Sequence, residues 1–225
     1  MANYVLRIHL KSDAAFGRGD GVAGLVDQEV EHDSYGLPFL RGRTLKGLLV
    51  EEAVNILYAL EQQNQAKARA YRETANQIFG HSGSGEEGAA ALRVGDAHLP
   101  LNLRVALQNE VDAGRLTPEQ ILAALTDIRR QTAMDATGKP ETHSLRSIRV
   151  ILRETILTAP LEFYRPIDNL NQALGLLAAC VKAFRRAGTG RNRGTGRLKA
   201  SLYDEAGQDV TKAFFDKFKN EVMAL

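Results

Sequence analysis

The sequence has a single cysteine, Cys180, among its 225 residues. One cysteine excludes an intrachain disulfide and a cysteine-rich zinc site. Its surroundings, GLLAACVKAF, indicate a small buried side chain rather than a nucleophile. The chain also lacks an apolar run near the roughly 20 residues that a membrane-spanning helix needs, and its start, MANYVLRIHLKSD, lacks the basic and apolar regions of a signal peptide. We therefore expect a cytoplasmic protein without a membrane partner.

The histidines show no metal-ligand spacing. They are scattered at His9, His32, His81, His98 and His143. His9 and His98 fall in predicted strands, where a structural role is expected, and the alternation around them does not resemble a zinc site. The histidines therefore predict no metal centre.

Acidic residues are absent between Asp168 and Asp204, although the whole chain carries a net charge of only +2. The same stretch holds seven cations: Lys182, Arg185, Arg186, Arg191, Arg193, Arg197 and Lys199. A local cationic segment in a nearly neutral protein favours a polyanionic partner, and the alternative is a solvated basic face.

Glycine and arginine alternate in GTGRNRGTGRL, residues 188–198. Glycine lets the backbone approach a phosphate and turn N–H groups toward it, and arginine binds phosphate oxygens bidentately. The stretch lacks the dinucleotide spacing G-x-G-x-x-G and the G-K-[ST] of a Walker A loop. It predicts binding to an RNA or DNA backbone, with a purely structural loop as the alternative. The proposed contacts are Gly188, Gly190, Arg191, Arg193, Gly194, Gly196 and Arg197.

A second basic segment, GLPFLRGRTLKGLL, covers residues 36–49. Arg41, Arg43, Thr44 and Lys46 stand at the predicted start of a helix, where free N–H groups and the helix dipole favour an anion. Taken alone, the segment could equally be a surface cap with basic side chains. Together with residues 188–198 it predicts two walls of a groove for phosphates.

Hydrophobic periodicity predicts an α+β fold. Residues 4–11 alternate as a half-buried strand, and an amphipathic helix follows with Thr44 as N-cap, continuing through residues 66–79. Residues 92–99 form a weaker strand candidate. A short helix is predicted from Thr117, which has a proline at the next position and Gln120 three residues on.

The C-terminal half predicts the remaining elements. Residues 147–164 read as one long strand or as two strands broken at Pro160. A helix then ends at Gly188, and residues 196–204 form the last strand. The order is that of a ferredoxin-like (RRM-like) βαββαβ core, with an inserted thumb segment at about 104–146 and loop-rich insertions. No linker divides the chain, so we expect a single domain over residues 1–225.

Several stretches together resemble the RAMP superfamily of CRISPR proteins, and more narrowly the repeated backbone subunit of type III effector complexes. They are the turn GLPFLRGRTLKG entering the first helix, the loop GTGRNRGTGR, the preceding GLVDQEVEHDSY, the stretch IFGHSGSGEEGAAALRVGDAHL and the thumb-like TAMDATGKPETHSLRSIRVI. The resemblance covers most of the chain. It departs at Arg41 and Arg43, where proline and serine are commoner, and at Phe16, where some relatives carry a histidine.

The resemblance implies a ribonucleoprotein for antiviral defence, in which copies of the subunit stack on a CRISPR guide RNA beside other effector subunits. The thumb would flip a base of the guide–target duplex, and complementary target RNA would be cut beside each thumb. Asp27 would be the catalytic carboxylate. Lys46, its helix entrance and residues 188–198 would hold the guide backbone, and Arg18, in AAFGRGDG, joins these candidates.

RNA cleavage by the adjacent 2′-hydroxyl needs in-line geometry, and a carboxylate assists by taking the proton or by holding a divalent cation, by hypothesis Mg²⁺. Asp27 could instead be a loop carboxylate that caps a turn or pairs with an arginine. Asp20, Glu29, Glu31 and Asp33 lie near enough in sequence to compete for its role. Two other functions stay open: a non-catalytic RNA-binding scaffold, and a guide-processing endoribonuclease, which usually acts through a histidine.

Overall fold

The computed structural model describes residues 2–81, 88–132, 137–139 and 144–224, and it has the expected α+β character. The strands are β1 Ala2–Leu10, β2 Leu92–Val94, β3 Thr126–Gln131, β4 Arg146–Ile151, β5 Ile156–Phe163 and β6 Leu198–Tyr203. The helices are α1 Gly42–Glu61, α2 Gln65–Phe79, α3 Leu101–Asp112, α4 Pro118–Leu125, α5 Leu170–Ala183 and α6 Thr211–Met223. His143 and parts of two predicted segments, the thumb and the loop at 80–88, lie outside the described residues.

Four strands form one antiparallel sheet in the order β2-β5-β1-β6, and β3 and β4 form a separate hairpin. The alternation read from the sequence of β1 is confirmed, because Leu6, Ile8 and Leu10 are fully buried. Helix α5 is apolar nearly all round, and it packs against α1, α6 and β6. Cys180 lies in its buried face, where burial raises the pKa of the thiol, so the prediction of an inert side chain is confirmed.

The first helix begins at Gly42, so the prediction of Thr44 as its N-cap was wrong. Asp96, from the loop after β2, accepts a hydrogen bond from the Gly42 N–H at 2.7 Å. The helix also does not continue to residue 79. It ends at Glu61, and α2 starts anew after Asn64, whose side chain accepts from the Lys67 N–H at 3.0 Å.

Pro160 does not break a strand, as one reading of the sequence had it, but lies inside β5 opposite Val5. The neighbouring strand β2 ends at Val94, opposite Leu161, so no β2 residue faces the missing N–H of Pro160. The break falls instead between β4 and β5, where Glu154 adopts a φ of 66°.

The inserted segment consists of α3, α4 and the β3–β4 hairpin. The predicted cap of α4 is confirmed, since Thr117 and Gln120 form a reciprocal capping box. Ala14, just after β1, forms an antiparallel bridge with Ile151 at the end of the hairpin. This bridge brings the hairpin beside the loop that follows β1.

Candidate nucleic-acid interface

Asp27 and the glycine-rich loop line the same cleft, which has a volume of about 950 Å³. One wall is the loop, through residues 188–193 and Thr195, and the opposite wall is the β3–β4 hairpin, including Arg130 and Arg146. The side chain of Gln28, the residue after Asp27, links the Asp27 segment to the glycine-rich loop, because its Nε2 donates to Thr189 Oγ1 at 3.3 Å. We call this space the Asp27 cleft.

A second cleft of about 310 Å³ lies on the other side of the same loop. Gly188, Thr189 and Arg191 line both clefts, and Arg41 and Thr44 at the start of α1 line only this one. Arg191 also donates to Glu51 on α1 at 3.1 Å. The two basic segments, far apart in sequence, therefore meet in space.

Close backbone packing explains two of the four loop glycines. Gly188 and Gly196 have φ values of +87° and +72°. A Cβ on Gly188 would lie 2.5 Å from the carbonyl oxygen of Ala15, and one on Gly196 would collide with that of Ala187. The Gly196 N–H donates to the Asp13 carbonyl at 2.7 Å, which ties the loop to the segment after β1. These glycines build the loop, a role that was not predicted for them.

We expect Gly196→Ala to deform the loop and to lower both the melting temperature and RNA affinity. Gly194→Ala is the matched control, because Gly194 also has a positive φ, of +85°, but a Cβ added there would meet no other atom within 4 Å. A strained φ alone costs about 1–3 kcal/mol, and the collision at Gly196 adds to it. Thermal unfolding and fluorescence anisotropy with labelled RNA measure both effects. Equal losses in the two variants would contradict the packing explanation.

Asp27 is held against strand β4 by one residue, Ser147. The Ser147 N–H and hydroxyl donate to Asp27 Oδ2 at 2.6 and 3.0 Å, and the Asp27 N–H donates to the Ser147 carbonyl at 2.9 Å. The two hydrogen bonds that the Asp27 carboxylate accepts, first from the Ser147 N–H and then from its hydroxyl, lower the pKa of the Asp27 carboxyl, and the charge of Arg146 lowers it further. Asp27 is therefore ionised at neutral pH.

The competing acids of the loop have other partners. Glu29 is 1% exposed and pairs with the buried Arg149 at 2.8 Å. Arg18 and Arg41 pair with Asp20 and Glu31 at 2.5 and 2.7 Å, and Asp33 accepts from the backbone N–H groups of residues 35 and 37. Of these five acids, Asp27 alone lines the Asp27 cleft.

Not every predicted RNA contact faces a cleft. Within the described residues, Arg18, Arg43, Lys46, Gly194, Gly196 and Arg197 line neither of the two spaces. Lys46 is half-buried without an ion-pair partner in that part of the chain, and burial lowers its pKa. Asp96 already occupies the Gly42 N–H, so the start of α1 is less open to an anion than the sequence suggested.

Sequence reasoning missed the cations of the hairpin. Arg129, Arg130 and Arg146 line the Asp27 cleft. Arg129 is bound to Asp13 at 2.7 Å and to Asp127 at 2.6 Å, whereas Arg130 forms no ion pair with any described residue. The repeated arginines of TDIRRQ and RSIRVI could have indicated this basic surface. The sequence did not show how the two strands pair, and so it did not show which arginines face the cleft.

A divalent cation would find few ligands here. Among the described residues, no group of three or more histidine, cysteine or acidic side chains could hold a metal ion. His9 lies 2.6 Å from Glu154, and the His98 ring stacks on Phe39 at 5.0 Å, so neither reaches the Asp27 cleft. Asp27 could supply one carboxylate, and RNA phosphates would have to complete the coordination. The Mg²⁺ prediction therefore stays a hypothesis.

Comparison with known proteins gives one family and one fold. The sequence pattern of the RAMP superfamily matches residues 7–199. The fold is similar to that of a chain in the Type III-B Cmr-beta complex bound to cognate target RNA, with a TM-score of 0.60 at 14% identity over 96% of this chain and 99% of that one. It is likewise similar to a chain of apo Type III-B Cmr-beta, with a TM-score of 0.59 at 15% identity over 91% and 98%. No curated protein matches the sequence. No helix in the described ranges is long and apolar enough to span a membrane.

Proposed function

Because the chain belongs to the RAMP superfamily, we propose that it is a backbone subunit of a type III CRISPR effector complex, which binds guide RNA and cleaves complementary target RNA at regular intervals. Its partners are the guide RNA, the target RNA, further copies of itself and other effector subunits in the cytoplasm. The observation that carries this proposal is that Asp27 and the arginine-bearing loop 188–198 line one cleft.

The sheet supports the finer fold assignment that belongs to this proposal. The strand order β2-β5-β1-β6, with α1 and α2 between β1 and β2 in the chain and α5 between β5 and β6, is the arrangement of a ferredoxin-like core. The β3–β4 hairpin, inserted between the second and third strands of that core, takes the place of the thumb.

The cationic walls of the Asp27 cleft account for backbone binding. Four arginines with guanidinium forks line this cleft, Arg191 and Arg193 on the loop and Arg130 and Arg146 on the hairpin, and the fork of Arg191 is also paired with Glu51 on α1. Such forks bind phosphate oxygens whatever the base, so the isolated protein should show little sequence preference.

The chemistry we propose is attack of a target 2′-oxygen on the adjacent phosphorus. The 2′-O–P bond forms, the P–O5′ bond breaks, the 2′-hydroxyl proton passes to water, and the leaving 5′-oxygen takes up a proton. The lowered pKa of the Asp27 carboxyl makes this residue a weak proton acceptor. Its proposed role is therefore to orient the sugar and phosphate by charge and hydrogen bonding. Arg146, beside Asp27, stabilises the negative charge that grows on the phosphate. A divalent cation bound there would supply further charge stabilisation.

The test is to incubate the assembled complex with labelled complementary RNA, with and without a chelator. Products spaced at a fixed interval support repeated cutting by stacked copies, and loss of cutting with the chelator supports the cation. Binding without products supports the non-catalytic scaffold instead. A guide-processing role has no support here, because no described histidine lines either cleft.

We expect Arg191→Ala combined with Arg193→Ala to weaken RNA binding in a salt-dependent manner. Each lost phosphate contact should reduce the slope of log affinity against log salt by about 0.7, the value for single strands. Arg69→Ala combined with Arg72→Ala, on the exposed face of α2, is the control. Titration of labelled RNA at several salt concentrations gives both slopes, and an unchanged slope in the cleft variant would exclude these arginines as phosphate ligands.

A further inference from the structure

A third cleft, of about 410 Å³, lies between the end of α5, the strand β6 and the start of α6. None of its described lining residues also lines either of the two clefts beside the glycine-rich loop. Its floor is apolar, since Phe184, Leu198 and Ala200 line it and are each less than 10% exposed. We call it the β6 cleft.

Four cations surround this floor, and they are Lys182, Arg185, Lys199 and Lys212. Among the described residues, none of them lies within 4.0 Å of a carboxylate. Asp209, the one acid among the described residues that line the cleft, accepts the Thr211 N–H at 3.0 Å. Four cations that share one lining carboxylate and form no ion pair with a described residue favour an anionic partner.

Strand β6 is the edge of its sheet, and its outer side is open at one residue. Leu198 donates outward to the Arg185 carbonyl at 3.0 Å, and Leu202 donates outward to Thr211 Oγ1 at 2.7 Å. Alternate residues of an antiparallel strand direct their backbone groups to the same side. Ala200 therefore turns its N–H and carbonyl away from β1 and into the cleft, where no described group bonds to them.

We propose that the β6 cleft binds an extended, acidic peptide segment of a partner protein. The segment pairs through two backbone hydrogen bonds with Ala200, as in strand addition to a sheet edge. Its apolar side chains cover Phe184 and Leu198, and its carboxylates meet Lys199, Lys212 and Arg185.

Peptide fits this cleft better than RNA does. The apolar floor of this cleft would have to be covered by the bases of an RNA rather than by its phosphates, and bases bind to proteins by stacking on exposed aromatic rings. The one aromatic side chain among the described residues that line the β6 cleft, Phe184, is 1% exposed and offers no free face. An open strand edge above an apolar floor is instead the pattern of a peptide site.

The test uses the full-length chain and a fluorescein-labelled octapeptide of alternating glutamate and valine, measured by anisotropy. We expect Lys199→Glu with Lys212→Glu to weaken binding by about tenfold or more, because two attractive contacts become repulsive. Lys217→Glu with Lys219→Glu, on α6 outside the cleft, reverses the same number of charges and should change affinity less than about twofold. Equal melting temperatures establish that both variants fold.

Two further probes separate the sources of affinity. Replacing the glutamates of the peptide by glutamine should abolish binding, and N-methylation of its central residues should weaken it. The Arg191→Ala, Arg193→Ala protein should bind the peptide normally, so this result is independent of the RNA proposal. No binding at millimolar peptide, or equal losses in the two charge-reversed proteins, overturns the proposal. The proposal is also overturned if the peptide does not bind but octauridylate does, and if that RNA binding is lost in the Lys199→Glu, Lys212→Glu protein.

Discussion

Asp27→Ala is expected to lower cleavage of target RNA by the assembled complex by about 10²-fold or more, with guide binding unchanged. Asp27 lines the Asp27 cleft together with one other described acid, Asp13, which is paired with Arg129, and the charge of Asp27 is maintained by two hydrogen bonds from Ser147. Under the proposed function, the substitution removes the negative group that orients the scissile phosphate. Cleavage of a labelled complementary RNA under single-turnover conditions measures the effect.

The matched control is Asp20→Ala. Asp20 belongs to the same loop but pairs with Arg18 and does not line the Asp27 cleft. Its removal changes the net charge equally, so cleavage should stay within a few-fold of the wild-type rate. If Asp27→Ala cuts normally, the catalytic assignment fails and the scaffold function replaces it.

Local signals predicted the elements whose causes lie close in sequence. The capping box at Thr117 and Gln120 and the alternation of β1 were both readable, because each depends on neighbours within a few residues. The start of α1 was not, because its cap, Asp96, comes from 54 residues away. A partner so far away along the chain produces no periodic pattern in the sequence around the helix.

In the candidate site, too, features set by neighbouring residues could be predicted and features set by distant residues could not. The composition of residues 188–198 was enough to mark them as a cationic loop, and the structure places that loop opposite the hairpin. The sequence could not separate Asp27 from Glu29, since both alternate in one polar stretch. Their difference comes from β4, where Ser147 meets Asp27 at the cleft and Arg149 meets Glu29 in the interior, each 120 residues further along the chain.

The buried pair of Glu29 and Arg149 carries the second large expected effect. Arg149 Nε lies 2.8 and 3.0 Å from the two Glu29 carboxylate oxygens, and a third contact joins its Nη1 to Thr126 Oγ1 at 3.2 Å. Either Glu29→Gln or Arg149→Met leaves one buried charge unpaired, which costs about 3–5 kcal/mol. We expect each single variant to melt roughly 10 °C lower than the wild type, by differential scanning calorimetry.

The double variant, Glu29→Gln with Arg149→Met, should recover most of that loss, because no charge remains buried and the glutamine can still accept the Val30 N–H. The double variant should also cleave target RNA at a rate near that of the wild type, since the backbone hydrogen bonds from Asp27 to Ser147 and from Arg149 to Gln28 do not involve the exchanged side chains. A double variant that melts like the wild type but does not cleave would show that the ion pair itself positions Asp27. Backbone pairing with β4 and the buried charges would then have separate roles, the first in holding the loop and the second in aiming its carboxylate.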